Sequence, residues 1–565
     1  MVTQNATAGA ISLGAAGADT GHAKAGDDAG NRRDTAAEPR HPRTLEPATF
    51  LLILVMSVFG GVIGMQILTT LGITPNTSIV GALAAMALAR IPLQIFRRYR
   101  STHVQNLVQS AISSATFGAA NSLLLPIGIP YALGRPDLIA PIFIGVAAAM
   151  VLDGYLLYRL YGSAMFPAEG AWPPGVAAAE AIRAGDEGGR NALVLGLGVG
   201  FGAAGSWFGI PMSAFGSAFI GNIWALSMFG LGLLLRGYSG LLFSGPVFAG
   251  LVPRGDLAAA FVPHGMMVGA GLMALLQMLP HIWRKPSDKG IGGGVIDVRT
   301  TLGFGSLAYI GIAAFIAAAG GLVTEMSPGM LVAFVFYAAL AALVHELIVG
   351  LAAMHTGWFP AFAVALITLM IGIMIGFPIT ALALLAGFTA ATGPAFADMG
   401  YDLKAGTILR GGHSARFELD GRREQLYASL IAFAVAIAVV GLSWRSFFAQ
   451  DLIPPIDRVY AAAINAGVSS STATSLLLWA IPGALLQFLG GAKRQLGVLL
   501  ATGLLLSSPL AGWAVLVGIV ARLVWLRRRS PTGQTTMEVF AGGVIAGDAL
   551  FSFTTSVAAN MTRPR

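Results

Sequence analysis

What most constrains the fold of this chain is a series of unbroken apolar runs, of which Phe50 to Leu71 and Tyr427 to Leu442 with its flanks are clear examples. Each is about 20 residues long, the length that crosses roughly 30 Å of hydrocarbon at 1.5 Å per helical residue. Inside a bilayer the backbone must satisfy its own hydrogen bonds, which leaves helices or a closed barrel. A barrel alternates apolar and polar residues in strands of about ten, whereas these runs are apolar at consecutive positions. The sequence therefore predicts an all-α, polytopic transmembrane bundle. Only 11% of the residues are charged and 56% are apolar, against roughly a quarter charged in soluble proteins, so the lipid bilayer is the first partner.

The net charge of +8 sits in short clusters between apolar runs, where basic residues set membrane orientation. Such clusters offer no basic face or reading motif for nucleic acid, which is excluded as a partner. The chain has no cysteine, so disulfides, thiol nucleophiles and thiolate metal sites are excluded as well. Residues 1–47 are polar and rich in Ala, Gly, Asp and Arg, and read as a disordered cytoplasmic tail, not as a cleaved secretion signal. Arg32, Arg33, Arg40 and Arg43 precede the first span, Thr49 to Leu71; Arg97, Arg98 and Arg100 follow the second, Ser78 to Phe96. Both ends of this hairpin are expected on the cytoplasmic side.

The next segment, His103 to Pro126, carries Gln105, Asn106, Gln109, Ser110, Ser113, Ser114 and Asn121. Several recur at helical spacing and make one polar face, which must meet protein or a watery path and not lipid. Hydrogen-bonding between helices is the plain alternative role for that face. Further spans are expected at Leu138 to Leu160, Ala192 to Phe208, Ser213 to Leu235, Ala258 to Ile282, Leu302 to Val323, Leu331 to Leu351 and Phe359 to Phe377, with a weaker one at Pro378 to Phe396. Basic loops at Arg284 to Arg299 and Lys404 to Arg423 read as cytoplasmic. Beyond them come Gln425 to Phe447, Ser475 to Leu489, Leu496 to Val520 and Val539 to Val557; one of these should be two half-passes, broken at Pro482 or Pro509. The total is about 12–16 helices at roughly 20 residues per crossing.

Two breaks echo each other. Gly209-Ile210-Pro211-Met212-Ser213-Ala214 and Gly376-Phe377-Pro378-Ile379-Thr380-Ala381 share glycine, proline and alanine at the same places. Matched interruptions in two halves point to an internally duplicated secondary transporter, because half-helix ends offer free backbone dipoles to a solute. The sequence thus predicts a first transmembrane half at 48–300 and a second at 301–565.

Ionisable residues within or beside apolar spans are functional candidates by default: Asp153, Glu169, Glu180, His264, Glu325, His345, Glu346, His355, Asp398, Asp402, Lys404 and Asp548. For each, contact with headgroups or water at a helix end is the ordinary alternative. Two constellations stand apart. Phe166 to Gly175 is a proline-locked turn leading into a short helix from Val176 to Ala184, which places Glu169 and Glu180 around a re-entrant element. Phe388 to Lys404 contains a Gly393-Pro394 break followed by Asp398 and Asp402, which share a face if the helix runs on. A carboxylate held away from water takes up a proton more readily than one in water, as a coupling site requires; it could equally receive a substrate amine or a chelated metal. We expect the substrate and proton pathway to include Glu169, Glu180, Asn222, His264, Asp398, Asp402 and Lys404.

Enzyme chemistry is not expected, nor any cofactor or resident metal. His345-Glu346 lacks the second histidine of a zinc-protease helix, and no phosphate-binding loop occurs. Tyr401-Asp402 matches half of an intramembrane aspartyl protease, but its glycine-any-glycine-aspartate partner is missing, Val544 to Asp548 lacking the first glycine. A membrane channel or a membrane-embedded hydrolase remains the alternative, although no filter-like repeat or charged ring is present.

Trp172-Pro173-Pro174-Gly175-Val176-Ala177-Ala178-Ala179-Glu180-Ala181-Ile182, Val262-Pro263-His264-Gly265-Met266-Met267-Val268-Gly269 and Ala397-Asp398-Met399-Gly400-Tyr401-Asp402-Leu403-Lys404-Ala405-Gly406-Thr407-Ile408-Leu409 resemble segments of the oligopeptide transporter family, in its yellow-stripe-like and bacterial branch. The aspartate-leucine-lysine-any-glycine stretch is the most specific, and the resemblance spreads from Phe50 to Ala558. It implies a proton-coupled importer of small peptides or peptide-like metal chelates working by alternating access, with a homodimer open to it. The asparagine-proline-glycine and lysine-isoleucine-proline-proline-arginine motifs of the eukaryotic peptide branch are missing, and Leu452 to Arg458 matches the second only in part, so peptide and chelate both stay open. Few lysines beside many arginines and abundant alanine fit a GC-rich bacterial source, hence a plasma-membrane location.

Overall fold

The computed structural model describes residues 40–71, 99–248, 250–283, 297–358, 361–411, 413–467, 470–506, 508–528 and 532–561. The expected span Ser78 to Phe96, most of the polar tail, and all but the end of the Arg284 to Arg299 loop lie outside the described residues.

Within them the chain is helical throughout, with no strand. In order come α1 (Pro47–Leu71), α2 (Thr102–Phe117), α3 (Leu125–Ala132), α4 (Ile139–Leu160), α5 (Pro173–Glu187), α6 (Gly189–Trp207), α7 (Met212–Ile220), α8 (Ile223–Gly237), α9 (Val262–Trp283) and α10 (Val298–Ala319). Then follow α11 (Pro328–Thr356), α12 (Ala361–Ile375), α13 (Ile379–Ala391), α14 (Pro394–Leu409), α15 (Ala415–Ala449), α16 (Pro455–Ala466), α17 (Ser470–Arg494), α18 (Leu496–Leu505), α19 (Pro509–Arg528) and α20 (Thr532–Met561), with a few single-turn helices between. Nine helical stretches among the described residues are long and apolar enough to cross a membrane, and α8, α12 and α18 are shorter apolar helices. The chain is a polytopic helical membrane protein.

Its surface and interior reverse the pattern of a soluble protein. Leu442, Val247, Leu241 and Phe208 are among many apolar side chains on the outside, Leu442 being 86% exposed, while Asp153, Glu346, Asp398, Asp402 and Asp457 are buried. Apolar side chains can face lipid at no cost, whereas carboxyls must face protein. Two large apolar cores form. One is built mainly from α3, α4, α10, α11, α13, α14 and α15, the other from α7, α8, α9, α12, α17, α18 and α19. Each draws on residues far apart in the sequence, from Met65 to Ile464 in the first and from Ala214 to Ile519 in the second.

Small residues set the closest contacts. α6 and α20 meet through Gly198 and Gly202 on one side and Gly543 and Gly547 on the other; a Cβ on Gly198 would stand 2.4 Å from the Phe540 carbonyl oxygen, and one on Gly547 2.1 Å from that of Val199. Helices in lipid associate by such close backbone approach because tails and apolar side chains are equally apolar.

The echoed breaks have the same backbone chemistry. Gly209 has φ +75° and Gly376 φ +92°, values that favour glycine. In both, the following residue bonds five residues back, Ile210 to the Gly205 carbonyl at 3.0 Å and Phe377 to that of Gly372 at 3.2 Å. This helix-ending motif turns the chain, and Pro211 and Pro378 then lead into α7 and α13. In the last third, the run Leu496 to Val520 is two helices separated before Pro509, while Pro482 lies inside α17; of the two prolines proposed as breaks, only Pro509 starts a new helix.

The expected basic loop Lys404 to Arg423 is mostly helix. α14 runs to Leu409 and α15 starts at Ala415, so Arg410 and Arg422, 2% and 6% exposed, are packed inside the protein. Arg422 donates to the Tyr161 carbonyl at 2.6 Å, and Arg410 is held by Glu418 and Gln425.

Candidate functional site

The Gly393-Pro394 break begins the site. Gly393 has φ +94°, and Pro394 occupies the first turn of α14, where its missing N–H costs nothing. The helix then runs unbroken through Asp398 and Asp402, so the spacing of four does put both carboxyls on one face. Both have 0% exposure.

That face meets the polar face of α2. Gln109 donates to Asp402 Oδ1 at 2.6 Å, and the Ser113 hydroxyl donates to Asp398 Oδ1. Ser114 Oγ stands 3.1 Å from Asp398 Oδ2, 3.3 Å from Asp402 Oδ2 and 2.9 Å from Ser429 Oγ on α15. Asn106 supports Gln109 by donating to its Oε1 at 2.9 Å. Two ladders of four-residue spacing, Asp398–Asp402 and Gln109–Ser113 beside Ser110–Ser114, thus interlock. These partners satisfy the polar side chains of α2 inside the protein, where residues 104–120 are buried without interruption. A π-helical stretch, Gly118–Leu124, carries it into α3, a feature frequent at functional sites.

The polar chain continues beyond the pair. Gln425 donates to the Asp402 carbonyl at 2.6 Å and to Ser110 Oγ at 3.1 Å, and accepts from Arg410 Nη1 at 2.8 Å. Arg410 grips Glu418 through Nε at 2.7 Å and Nη2 at 3.2 Å, a two-pronged pair whose geometry suits guanidinium and carboxylate. The imidazoles of His41, His103 and His413 pack around Phe417 next to this pair, at ring separations of 4.4–5.5 Å.

The remaining expected residues are spread out. Lys404, half-buried, points away from the acidic pair and donates to the Ala168 carbonyl at 3.0 Å; it lies within electrostatic reach of Glu169, whose side chain is exposed in the turn before α5. Glu180 is 3% exposed and paired with Arg183 at 2.9 Å. Arg183 also donates to the Ile408 carbonyl at 3.0 Å, tying α5 to α14. Asn222 caps α8, its Oδ1 accepting from Trp224 N and Ala225 N at 3.0 and 3.2 Å. His264 opens α9, its ring 5.7 Å from Phe261 and its Nδ1 buried without a partner. The structure therefore joins Asp398 and Asp402 in one cluster, brings Lys404, Glu169 and Glu180 to the α5–α14 side of the same helix, and leaves Asn222 and His264 elsewhere.

Sequence reasoning missed Ser429, Gln425, Arg410 and Glu418 as members of the cluster. Arg410 and Glu418 sat in a stretch read as a solvated loop; Ser429 and Gln425 are single polar residues in α15, and spacing gives no sign of their partners. Among the described residues, no group of three or more His, Asp or Glu side chains is placed to hold a metal ion.

Buried carboxyls served by amide and hydroxyl donors, inside a lipid-facing bundle with broken helices, define a membrane transport protein. The family model described as OPT oligopeptide transporter protein matches residues 47–285 and 261–559, and the chain belongs to that family, whose members are transporters and not enzymes. No curated protein matches the sequence.

Proposed function

We propose that this protein imports small oligopeptides or peptide-like metal chelates by alternating access, driven by protons, across the plasma membrane of a bacterium. Within the family we assign it to the yellow-stripe-like and bacterial branch, on the segments around Trp172, Val262 and Ala397. The observation that carries the reading is the Asp398–Asp402 pair. Two carboxyls on one helical face, away from water and without a basic side chain bonded to them among the described residues, suit proton uptake and release, which is what coupling to a gradient needs. The Ser113, Ser114 and Gln109 donors let the pair exchange partners as its charge changes.

Glu169, Glu180 and Lys404 line the α5–α14 approach to the pair, with His264 and Asn222 on the path through the second core. The matching turns at Gly209 and Gly376 support a duplicated architecture with halves at 48–300 and 301–565; the basic residues flanking the first two spans favour an amino terminus in the cytoplasm, and the assembly in the membrane is a homodimer. Uptake of labelled di- to tetrapeptides and of metal chelates into proteoliposomes, with and without an inward proton gradient, tests the reading. Accumulation only under the gradient supports it. Gradient-independent flux at channel rates would overturn the coupled carrier, and cleavage of the peptide would point to an embedded hydrolase.

A further inference from the structure

A second buried acidic cluster lies at the start of α14. The Asp153 carboxyl of α4 and the Glu346 carboxyl of α11, 0% and 1% exposed, converge on one hydroxyl, that of Tyr309 on α10. Tyr309 Oη stands 2.5 Å from Asp153 Oδ1 and 2.9 Å from Glu346 Oε2. A phenol has one hydrogen to donate, so the second contact is a hydrogen bond when a carboxyl supplies another hydrogen. The three oxygens fit one shared proton beyond the tyrosine's own. Glu346 Oε1 is buried with no hydrogen-bond partner, a position far costlier for an ionised carboxylate than for a neutral acid.

The cluster grips the break. Asp153 Oδ2 accepts from the Gly393 N–H at 2.7 Å. Beside it, Thr392 Oγ1 lies 3.2 Å from His345 Nδ1, and His345 Nε2 lies 2.7 Å from the Ala361 carbonyl oxygen. A carbonyl only accepts, so Nε2 carries an imidazole hydrogen, while the one hydrogen of the Thr392 hydroxyl is shared between Nδ1 and the Thr389 carbonyl, 3.0 Å away. The titratable groups facing the site are therefore Asp153 from α4, Tyr309 from α10, and His345 and Glu346 from α11; α13 and α14 contribute Thr392 and Gly393. Among the described residues no Lys or Arg forms an ion pair with either carboxyl.

We propose that Asp153, Tyr309 and Glu346 form a second proton-binding site, distinct from Asp398–Asp402, whose occupancy fixes the Thr392-Gly393 break and with it the position of α14. It rests on the proton-coupled reading of the chain. The step is proton binding and release alone: a carboxylate oxygen takes a proton from water on one side and returns it to water on the other. Without that proton, two carboxylates compete for one phenol hydrogen in a dry site, and like charges there repel strongly. The bond from Asp153 to Gly393 transmits the change to the helix that carries Asp398 and Asp402.

Infrared difference spectra of the purified full-length protein, between acidic and alkaline buffer and in light and heavy water, test the site directly. The wild type should show a protonated-carboxyl stretch that is lost in Glu346→Gln or Asp153→Asn and retained in Asp398→Asn. Tyr309→Phe, the mildest change, should shift that band. The chain has no cysteine of its own, so a thiol at Ala395→Cys reports the break alone; its maleimide labelling should rise as the band disappears and stay flat in a Glu346→Gln background. A band unmoved by all three substitutions overturns the site, as does labelling that follows pH equally with Glu346→Gln present. If wild-type uptake of the labelled peptides and chelates ignores the proton gradient, the proton-coupled reading fails by that measurement, separately from the band.

Discussion

The two acidic clusters along α14 are built differently. Asp398 and Asp402 meet Gln109, Ser113 and Ser114, side chains that all come from one helix. Asp153 and Glu346 share one phenol and one backbone N–H, supplied by α10 and by the break itself. The first cluster has three side-chain donors, and its two hydroxyls can follow a change of charge by rotating. The second fits one arrangement at each proton count, so a change of charge must move the backbone. A rich site suits exchange of partners, and a sparse one suits a switch.

The largest expected effect separates the first cluster from its scaffold. Asp398→Asn should abolish gradient-driven uptake while substrate exchange across the proteoliposome membrane continues, because the amide keeps the shape and loses the titration. Coupling at the wild-type level in that variant would take Asp398 off the proton path.

Next comes Arg410→Ala. Arg410 is buried and bonded to Glu418 and, through Gln425, to the first cluster, and removing one partner of a buried pair leaves the other charged and alone, at a cost of about 3–5 kcal/mol. Thermal unfolding in detergent should show that loss, with much of it recovered in Arg410→Ala with Glu418→Ala. Equal destabilisation of the single and double variants would mean that packing, and not charge, anchors this end.

The two clusters can then be compared directly by removing one hydroxyl from each. Tyr309→Phe deletes the hydroxyl that both carboxyls of the sparse cluster share and should cost about 1–3 kcal/mol, toward the upper end of that range. Ser114→Ala leaves Ser113 and Gln109 in place and should cost about 1 kcal/mol or less. The reverse order, measured by the same unfolding assay, would break the distinction between a rich and a sparse site.

How far the sequence showed these clusters follows from the distance over which each signal acts. The lipid-length runs, the polar face of α2, the Gly393-Pro394 break and the shared face of Asp398 and Asp402 are local patterns, and all appear in the fold. The pairing of α2 with α14 spans 293 positions from Gln109 to Asp402 and leaves no local trace. Tyr309 lies in an apolar run that gives no local sign of its partners; only its position between Asp153 and Glu346 gives it meaning. Arg410 and Arg422 were read as marking a cytoplasmic loop because basic clusters usually do, whereas tertiary partners drew both inside. Asn222, expected on the pathway, caps α8, a role that needs only a polar residue before an apolar helix.

The remaining effect concerns where the polar chain of the first cluster leads, since among the described residues no histidine but His345 adjoins the second. His41 lies before α1, 7% exposed, with Nδ1 donating to the Pro42 carbonyl at 2.8 Å and Nε2 unpartnered. Burial pushes its imidazole down from 6.5 to about 3, against the pull of that carbonyl and with help from the Arg410, His103 and His413 charges. The folded protein thus refuses a proton that the unfolded chain accepts at 6.5, so this contribution is complete above pH 6.5 and falls away as the pH drops toward 3, by up to ~1.4 kcal/mol per pH unit. His41→Phe, which keeps a ring against Phe417 and His103, should flatten the loss of thermal stability between neutral and mildly acidic buffer. An unchanged pH profile would mean that the segment before α1 leaves the bundle before its histidine titrates, and the polar chain from Asp402 would then end at Arg410 and Glu418.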